Sequence, residues 1–231
     1  MAAPVSATLW RGRIDAGTGA GGQIALAGVH AGNAGANAAN RAALRARLSA
    51  VLLPASVRAS DVRWPARRAP QAPRPWRLSA SRSGPWMVLA ATGGSPARAG
   101  SCAIGVDVER LRPRNFAALE RHLGWSRASV GAEHFYRRWT LAEACFKCGT
   151  GSPQVSDLRS ALFAALDCAS NAPSWGQAYR ATLPDGAVAS AGWFAPEPGL
   201  VVCAVDLWTP ANADTDGIAP QIESEETGRN E

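Results

Sequence analysis

The period of apolar and polar positions changes several times along this 231-residue chain, and each change marks a separate element. Over 36–53 (ANAANRAALRARLSAVLL) strong helix formers place Leu44, Leu48 and Val51 on one face and bring Arg41 and Arg45 together on another, which predicts a helix. The segment 62–77 (VRWPARRAPQAPRPWR) cannot form a regular helix, because Pro recurs at 65, 70, 73 and 75; it predicts a cationic loop. In 78–92 (LSASRSGPWMVLAAT) the second half is a compact apolar run. A Gly- and Pro-containing break separates it from SCAIGVDVE at 101–109, and both runs predict strands. Helices are predicted over 115–123, 131–148 and near 155–167, and further strands over 176–182, 187–194 and 199–208. Ahead of all these, residues 1–35 are rich in Gly and Ala, with QIALAGV reading as a short strand between turns. The pattern is mixed α/β (α+β), and the two halves carry similar apolar strands, PWMVLAAT and GLVVCAVDLW, which points to two related lobes.

Composition removes several classes. A chain of this length buries a sizeable core as one large domain or as two halves of roughly 100 residues. No run approaches the roughly 18 to 20 apolar residues of a membrane-spanning helix, and the first residues lack the apolar core of a secretion signal. A cytoplasmic protein without membrane contact is expected. The five Cys form no even framework, and Cys145-x-x-Cys148 lacks the second pair or His partners of a zinc site, so helix packing is its expected role. The formal charge of +6 is unevenly spread, since 209–231 hold six acids and one base, leaving 23 bases against 12 acids in a body of +11. That tail has no apolar period and reads as disordered. So basic a body attracts something anionic: nucleic acid, a phosphorylated small molecule or an acidic protein surface.

Candidate chemistry lies in GVDVER and in the helix EHFYRRWTLAEACFKCG. On a strand, Val106 and Val108 alternate with Asp107 and Glu109, which puts both carboxylates on one side. Two such charges repel unless a cation or water separates them, and hard oxygen ligands of this kind suit Mg²⁺. Taken alone, the pair reads first as a solvated strand end, and the metal reading needs a second motif beside it. On the helix, Trp139, Glu143 and Lys147 follow at i, i+4 and i+8 and share a face. The last two could form an ordinary helix ion pair, but Lys147 is the single lysine among 24 basic residues. Where every other surface cation is Arg, a pairing partner would be expected to be Arg too; an ammonium, unlike a guanidinium, can give up its proton.

Gly105-Val-Asp-Val-Glu109, followed about 30 residues later by Trp139-Thr-Leu-Ala-Glu-Ala-Cys-Phe-Lys147, resembles the two signature motifs of the 4′-phosphopantetheinyl transferases, G-x-D-x-E and W-x-x-K-E-A-x-x-K. Ala142 stands where that second motif has its first lysine. The length resembles the larger, Sfp-type branch. Such a resemblance implies two similar lobes with pseudo-twofold symmetry in one monomeric chain, with a coenzyme A cleft between them. The corresponding division is a Gly/Ala-rich N-terminal segment (1–35), an N-terminal lobe (36–100), a C-terminal lobe with the motifs (101–208) and an acidic tail (209–231). It also implies a reaction: Mg²⁺-dependent transfer of phosphopantetheine from coenzyme A to a serine of an apo carrier protein (acyl, polyketide or peptidyl), with release of 3′,5′-ADP. By the same resemblance Asp107, Glu109 and Glu143 hold Mg²⁺, Glu143 is the base for the serine proton, and Lys147 serves the leaving pyrophosphate oxygen. Ser81 and Arg82 match a phosphate-contacting S-H-S segment with Arg in place of His; Arg41 and Arg68 are the further coenzyme A contacts.

Two rival readings stay open on the residues. A noncatalytic basic module would use the loop 63–77, with Trp64 and Trp76 stacking on single-stranded bases. A Mg²⁺ phosphodiesterase would use the same carboxylates without any carrier protein. The paired motifs favour the transferase, with no nucleic acid as partner.

Overall fold

The computed structural model describes residues 9–15, 23–30, 38–66, 68–93, 100–125, 128–149, 155–168, 178–183 and 185–210. Among these residues eight strands and four α-helices run in the order β1 (Leu9–Asp15), β2 (Gln23–His30), α1 (Ala38–Leu52), β3 (Trp76–Ser83), β4 (Trp86–Gly93), β5 (Gly100–Arg110), α2 (Phe116–His122), α3 (Gly131–Cys148), α4 (Val155–Cys168), β6 (Ala178–Thr182), β7 (Val188–Phe194) and β8 (Leu200–Pro210). They build two antiparallel four-stranded sheets, ordered β1-β2-β4-β3 and β5-β8-β7-β6, in an α+β arrangement. Among the described residues no helix is long and apolar enough to cross a membrane.

The layers follow from which faces are apolar. Between the sheets, Ile24, Leu26, Trp86, Val88 and Ala90 of the first meet Ile104, Val106, Val108, Leu200 and Val202 of the second. The opposite face of the first sheet receives Leu44 and Leu48 of α1. That of the second receives Phe135, Leu141, Ala144 and Cys145 of α3 with Leu158 and Leu162 of α4. Strands β4 and β8 are therefore covered on both faces, and Trp86 to Thr92 and Leu200 to Leu207 are buried throughout. Strands covered in this way show unbroken apolar runs in place of alternation. Single-face strands alternate instead, and the helices keep their apolar stripe on the sheet side.

Several boundaries differ from the sequence expectation, each for a physical reason. Residues 1–35 supply β1 and β2, half of the first sheet, although only the second reads as a strand. Edge strand β1 exposes Arg11 and Arg13, so its apolar signal is reduced to Leu9 and Trp10, the latter stacked on Phe194 at 5.0 Å between ring centroids. The stretch 76–83 is strand β3, although by sequence 76–77 read as loop and only the second half of 78–92 reads as a strand; its Ser79, Ser81 and Ser83 face a polar seam and leave little apolar pattern. Among the described residues of the remaining predicted loop, 62–75, there is no regular strand or helix beyond an isolated bridge from Arg63 to Gln71. The tail expected to be disordered from 209 begins later, because Thr209 and Pro210 complete β8 by pairing with Ser101 and Gly100; positions 211–231 lie outside the described residues.

Candidate functional site

β3 and β5 are edge strands of their respective sheets, and they meet along a seam of side-chain hydrogen bonds. β5 pairs with β8 on one side only, so the backbone groups on its other edge need partners from elsewhere. The N–H of Val106 donates to Ser79 Oγ (3.0 Å), the N–H of Arg110 to Ser83 Oγ (3.4 Å), and the carbonyl of Val106 accepts from Lys147 Nζ (3.1 Å). Serines at i, i+2 and i+4 of one strand thus face the same neighbour, as the two-residue period of a strand requires.

Lys147 reaches that seam because α3 lies directly on β5. A Cβ at Gly105 would collide with the backbone of Ala144 and Cys148, so the glycine of the G-x-D-x-E segment is the condition for this close approach. Its consequence is a closed triad. Lys147 Nζ lies 2.7 Å from Asp107 Oδ1 and donates to Ser81 Oγ at 3.0 Å, while Ser81 Oγ donates to the same Oδ1 at 2.7 Å. Asp107 is buried at 5% exposure, and its second oxygen, Oδ2, is buried without a hydrogen-bond partner.

Glu109, two residues on and half-buried, accepts from Ser83 Oγ at 3.1 Å. Burial, and next the negative charge of Asp107, push its carboxyl above the ordinary value of 4.5, against the opposing pull of Ser83 and of Arg114 and Arg112. A raised folded-state value means that the folded protein holds the proton on Glu109 more tightly than the unfolded chain does. The associated stability is complete below 4.5 and is lost as pH rises through the raised value. Glu109→Gln is accordingly expected to raise the melting temperature of the metal-free protein by a few degrees at neutral pH and to leave it unchanged in acid below 4.5. A melting temperature equally shifted at both pH values would show that the charge on Glu109 is not what destabilises the seam.

The two β5 carboxylates of the expected Mg²⁺ set therefore stand together. Glu143 is half-buried on α3 one turn before Lys147, and among the described residues no three His, Cys, Asp or Glu side chains form a group able to hold a metal ion. The donors still suit a hard divalent cation: the orphaned Oδ2 of Asp107 and the like-charge strain on Glu109 are both relieved by one. Trp139 stacks on Phe135 at 6.0 Å and packs against the α3 core, which makes it a structural member of its motif.

Next to the triad a cavity of about 260 Å³ opens, lined by Arg41 and Arg45 of α1, Trp64 and Arg68 of the loop, and Ser81 and Arg82 of β3. All four phosphate-contacting candidates outside the motifs, Arg41, Arg68, Ser81 and Arg82, fall in this one cavity, and Ser81 joins it to Lys147. Arg45 and Trp64 were not among those candidates; the i, i+4 spacing of Arg41 and Arg45 is the sequence signal that relates the first to them. Trp64 and Trp76 pack against the α1 core cluster, which limits their freedom to stack on bases. A larger cavity, about 400 Å³, lies beyond the end of β5 and contains none of these residues. Its two carboxylates are already engaged, Glu133 by Arg137 at 2.7 Å and Glu197 by Trp86 Nε1 at 2.9 Å.

Cys145 and Cys148 are buried free thiols, as helix packing requires. Burial drives the Cys145 thiol up to about 12 and that of Cys148 well above its usual range, which suppresses thiolate chemistry. In comparison with known proteins, the chain matches no family model and no curated protein sequence.

Proposed function

We propose that this protein transfers 4′-phosphopantetheine from coenzyme A to a serine hydroxyl of an apo carrier protein, with Mg²⁺, and releases 3′,5′-ADP. The observation that supports this reading best is the convergence of Arg41, Arg68, Ser81 and Arg82, from three separate segments, on one cavity connected through Ser81 to Lys147 and Asp107. Phosphoryl transfer depends on positioning and on neutralising phosphate oxygens, which is what cationic donors beside a lysine and a carboxylate pair provide.

In the proposed reaction the serine Oγ forms a bond to the β-phosphorus, and the bond from that phosphorus to the bridging oxygen of the departing 3′,5′-ADP breaks. Glu143 takes the serine proton. Lys147 gives a proton to, or neutralises, the leaving oxygen, and Arg41, Arg68 and Arg82 bind the phosphates through charge-assisted hydrogen bonds. Asp107, Glu109 and Glu143 are the residues that would hold Mg²⁺, which when bound supplies further charge neutralisation at the pyrophosphate. The two sheets are read as pseudo-twofold-related lobes of a monomeric, cytoplasmic enzyme. The body's +11 suits both polyanionic coenzyme A and an acidic carrier surface.

Intact-mass measurement of apo carrier proteins incubated with the protein, coenzyme A and Mg²⁺ tests the reading. The expected result is a gain of one phosphopantetheinyl group that disappears with EDTA. No gain across acyl, polyketide and peptidyl carriers would sink it.

A further inference from the structure

Arg45 lines the cavity one helical turn beyond Arg41. Its guanidinium carbon stands 5.2 Å from the centroid of the Trp64 ring, a cation–π contact that holds the group at the cavity wall. The Nε–H of that guanidinium is buried and has no hydrogen-bond partner. Among the described residues Arg45 also has no acidic partner within ion-pair distance. A shielded, unpaired donor on a charged group is costly and uncommon in folded proteins. Here it lines one cavity together with Arg41, Arg68 and Arg82.

A neutral acceptor could pair with the Nε–H but would not match the positive charge of this lining, and a single carboxylate brings one negative charge. A phosphate group brings up to two negative charges and three acceptor oxygens, and its geometry matches the paired N–H donors of a guanidinium. We infer that Arg45, braced by Trp64, is a phosphate-binding residue of this cavity, whose Nε–H and Nη–H groups donate to an oxyanion of the bound ligand. Trp64 has one face given over to Arg45, so it acts as a positioning residue for the guanidinium. The chemical class of the ligand follows from the arginines; its identity as coenzyme A rests on the transferase reading. Coenzyme A carries this chemistry twice, in its diphosphate and in its ribose 3′-phosphate.

The test is calorimetric titration of the full chain with inorganic pyrophosphate, coenzyme A and dephospho-coenzyme A, which lacks the ribose phosphate. Arg45→Gln is expected to weaken pyrophosphate or coenzyme A binding about tenfold, the usual size for a lost charge-assisted hydrogen bond. Arg45→Lys restores only part of the affinity, because an ammonium has no donor at the Nε position, and it also carries the test if Arg45→Gln does not fold. Arg47→Gln, which removes an exposed charge from the same helix, is expected to leave affinity unchanged. A loss equal for coenzyme A and dephospho-coenzyme A assigns Arg45 to the diphosphate; a loss seen with coenzyme A alone assigns it to the ribose phosphate. Wild-type affinity in Arg45→Gln, full recovery in Arg45→Lys, or an equal loss in Arg47→Gln overturns the assignment. Arg45-dependent binding of pyrophosphate without binding of coenzyme A leaves Arg45 in place and removes the transferase. Binding of coenzyme A indifferent to Arg45 does the reverse, and a wild-type chain that binds none of the three probes removes both.

Discussion

Lys147→Ala is expected to lower the turnover of carrier-protein modification by about 10²–10³-fold, the range for loss of one preorganised group at a developing negative charge. Arginine at this position is expected to restore little, since guanidinium keeps its proton and its planar fork does not fit the point-like site among Asp107 Oδ1, Ser81 Oγ and the Val106 carbonyl. The same substitution also strips the buried Asp107 carboxylate of its cation, which costs about 2 kcal/mol of stability. The two effects separate when both are read on Lys147→Ala: thermal denaturation reports the lost ion pair with Asp107, and turnover of the folded protein, below its melting temperature, reports the lost lysine. Near-normal turnover in Lys147→Ala would reduce the lysine to a structural tie across the seam.

The second large effect belongs to a residue that touches no reactant. At Gly105 even a methyl group collides with the Ala144 carbonyl, and it comes within 2.7 Å of the Cys148 backbone nitrogen. Helix backbone cannot rotate aside as a side chain does, so α3 must lift from β5 and draw Lys147 away from Asp107. Gly105→Ala is expected to cost about 3 kcal/mol in urea denaturation, at the upper end of overpacking effects, and to remove most activity. Gly12→Ala provides the comparison: the nearest atoms to its new methyl belong to the ring of Phe194, at 3.1 Å, a side chain able to yield. A cost under about 1 kcal/mol is expected there. Equal losses at the two positions would contradict the view that close helix–strand approach is the special requirement at Gly105.

Much of the fold was legible where one physical signal dominates. The limits of α3 follow from an apolar stripe with helical period, and β4 and β8 from runs buried on both faces. By contrast β3 presents Ser79, Ser81 and Ser83 to a polar seam, and β1 puts Arg11 and Arg13 in solvent, so neither carries the apolar alternation by which strands are recognised. For the site, the placement of Asp107 and Glu109 on one face was readable from spacing alone. The contact of Lys147 with Asp107, 40 residues apart in sequence, was not, because it depends on how closely α3 seats on Gly105. The stacking of Arg45 on Trp64 likewise requires a loop and a helix to meet, and no local pattern encodes that.

The open edge of β5 has a further meaning for the life of the protein in a crowded solution. An unpaired strand edge is a template for strands of other molecules, and this one is closed by serine hydroxyls and an ammonium group instead of a neighbouring strand. Any ligand or variant that draws Lys147 off the Val106 carbonyl therefore uncovers part of that template. The lysine closes that edge with the same contacts that place it beside the cavity, so its removal is expected to leave the Val106 carbonyl without its partner in the seam.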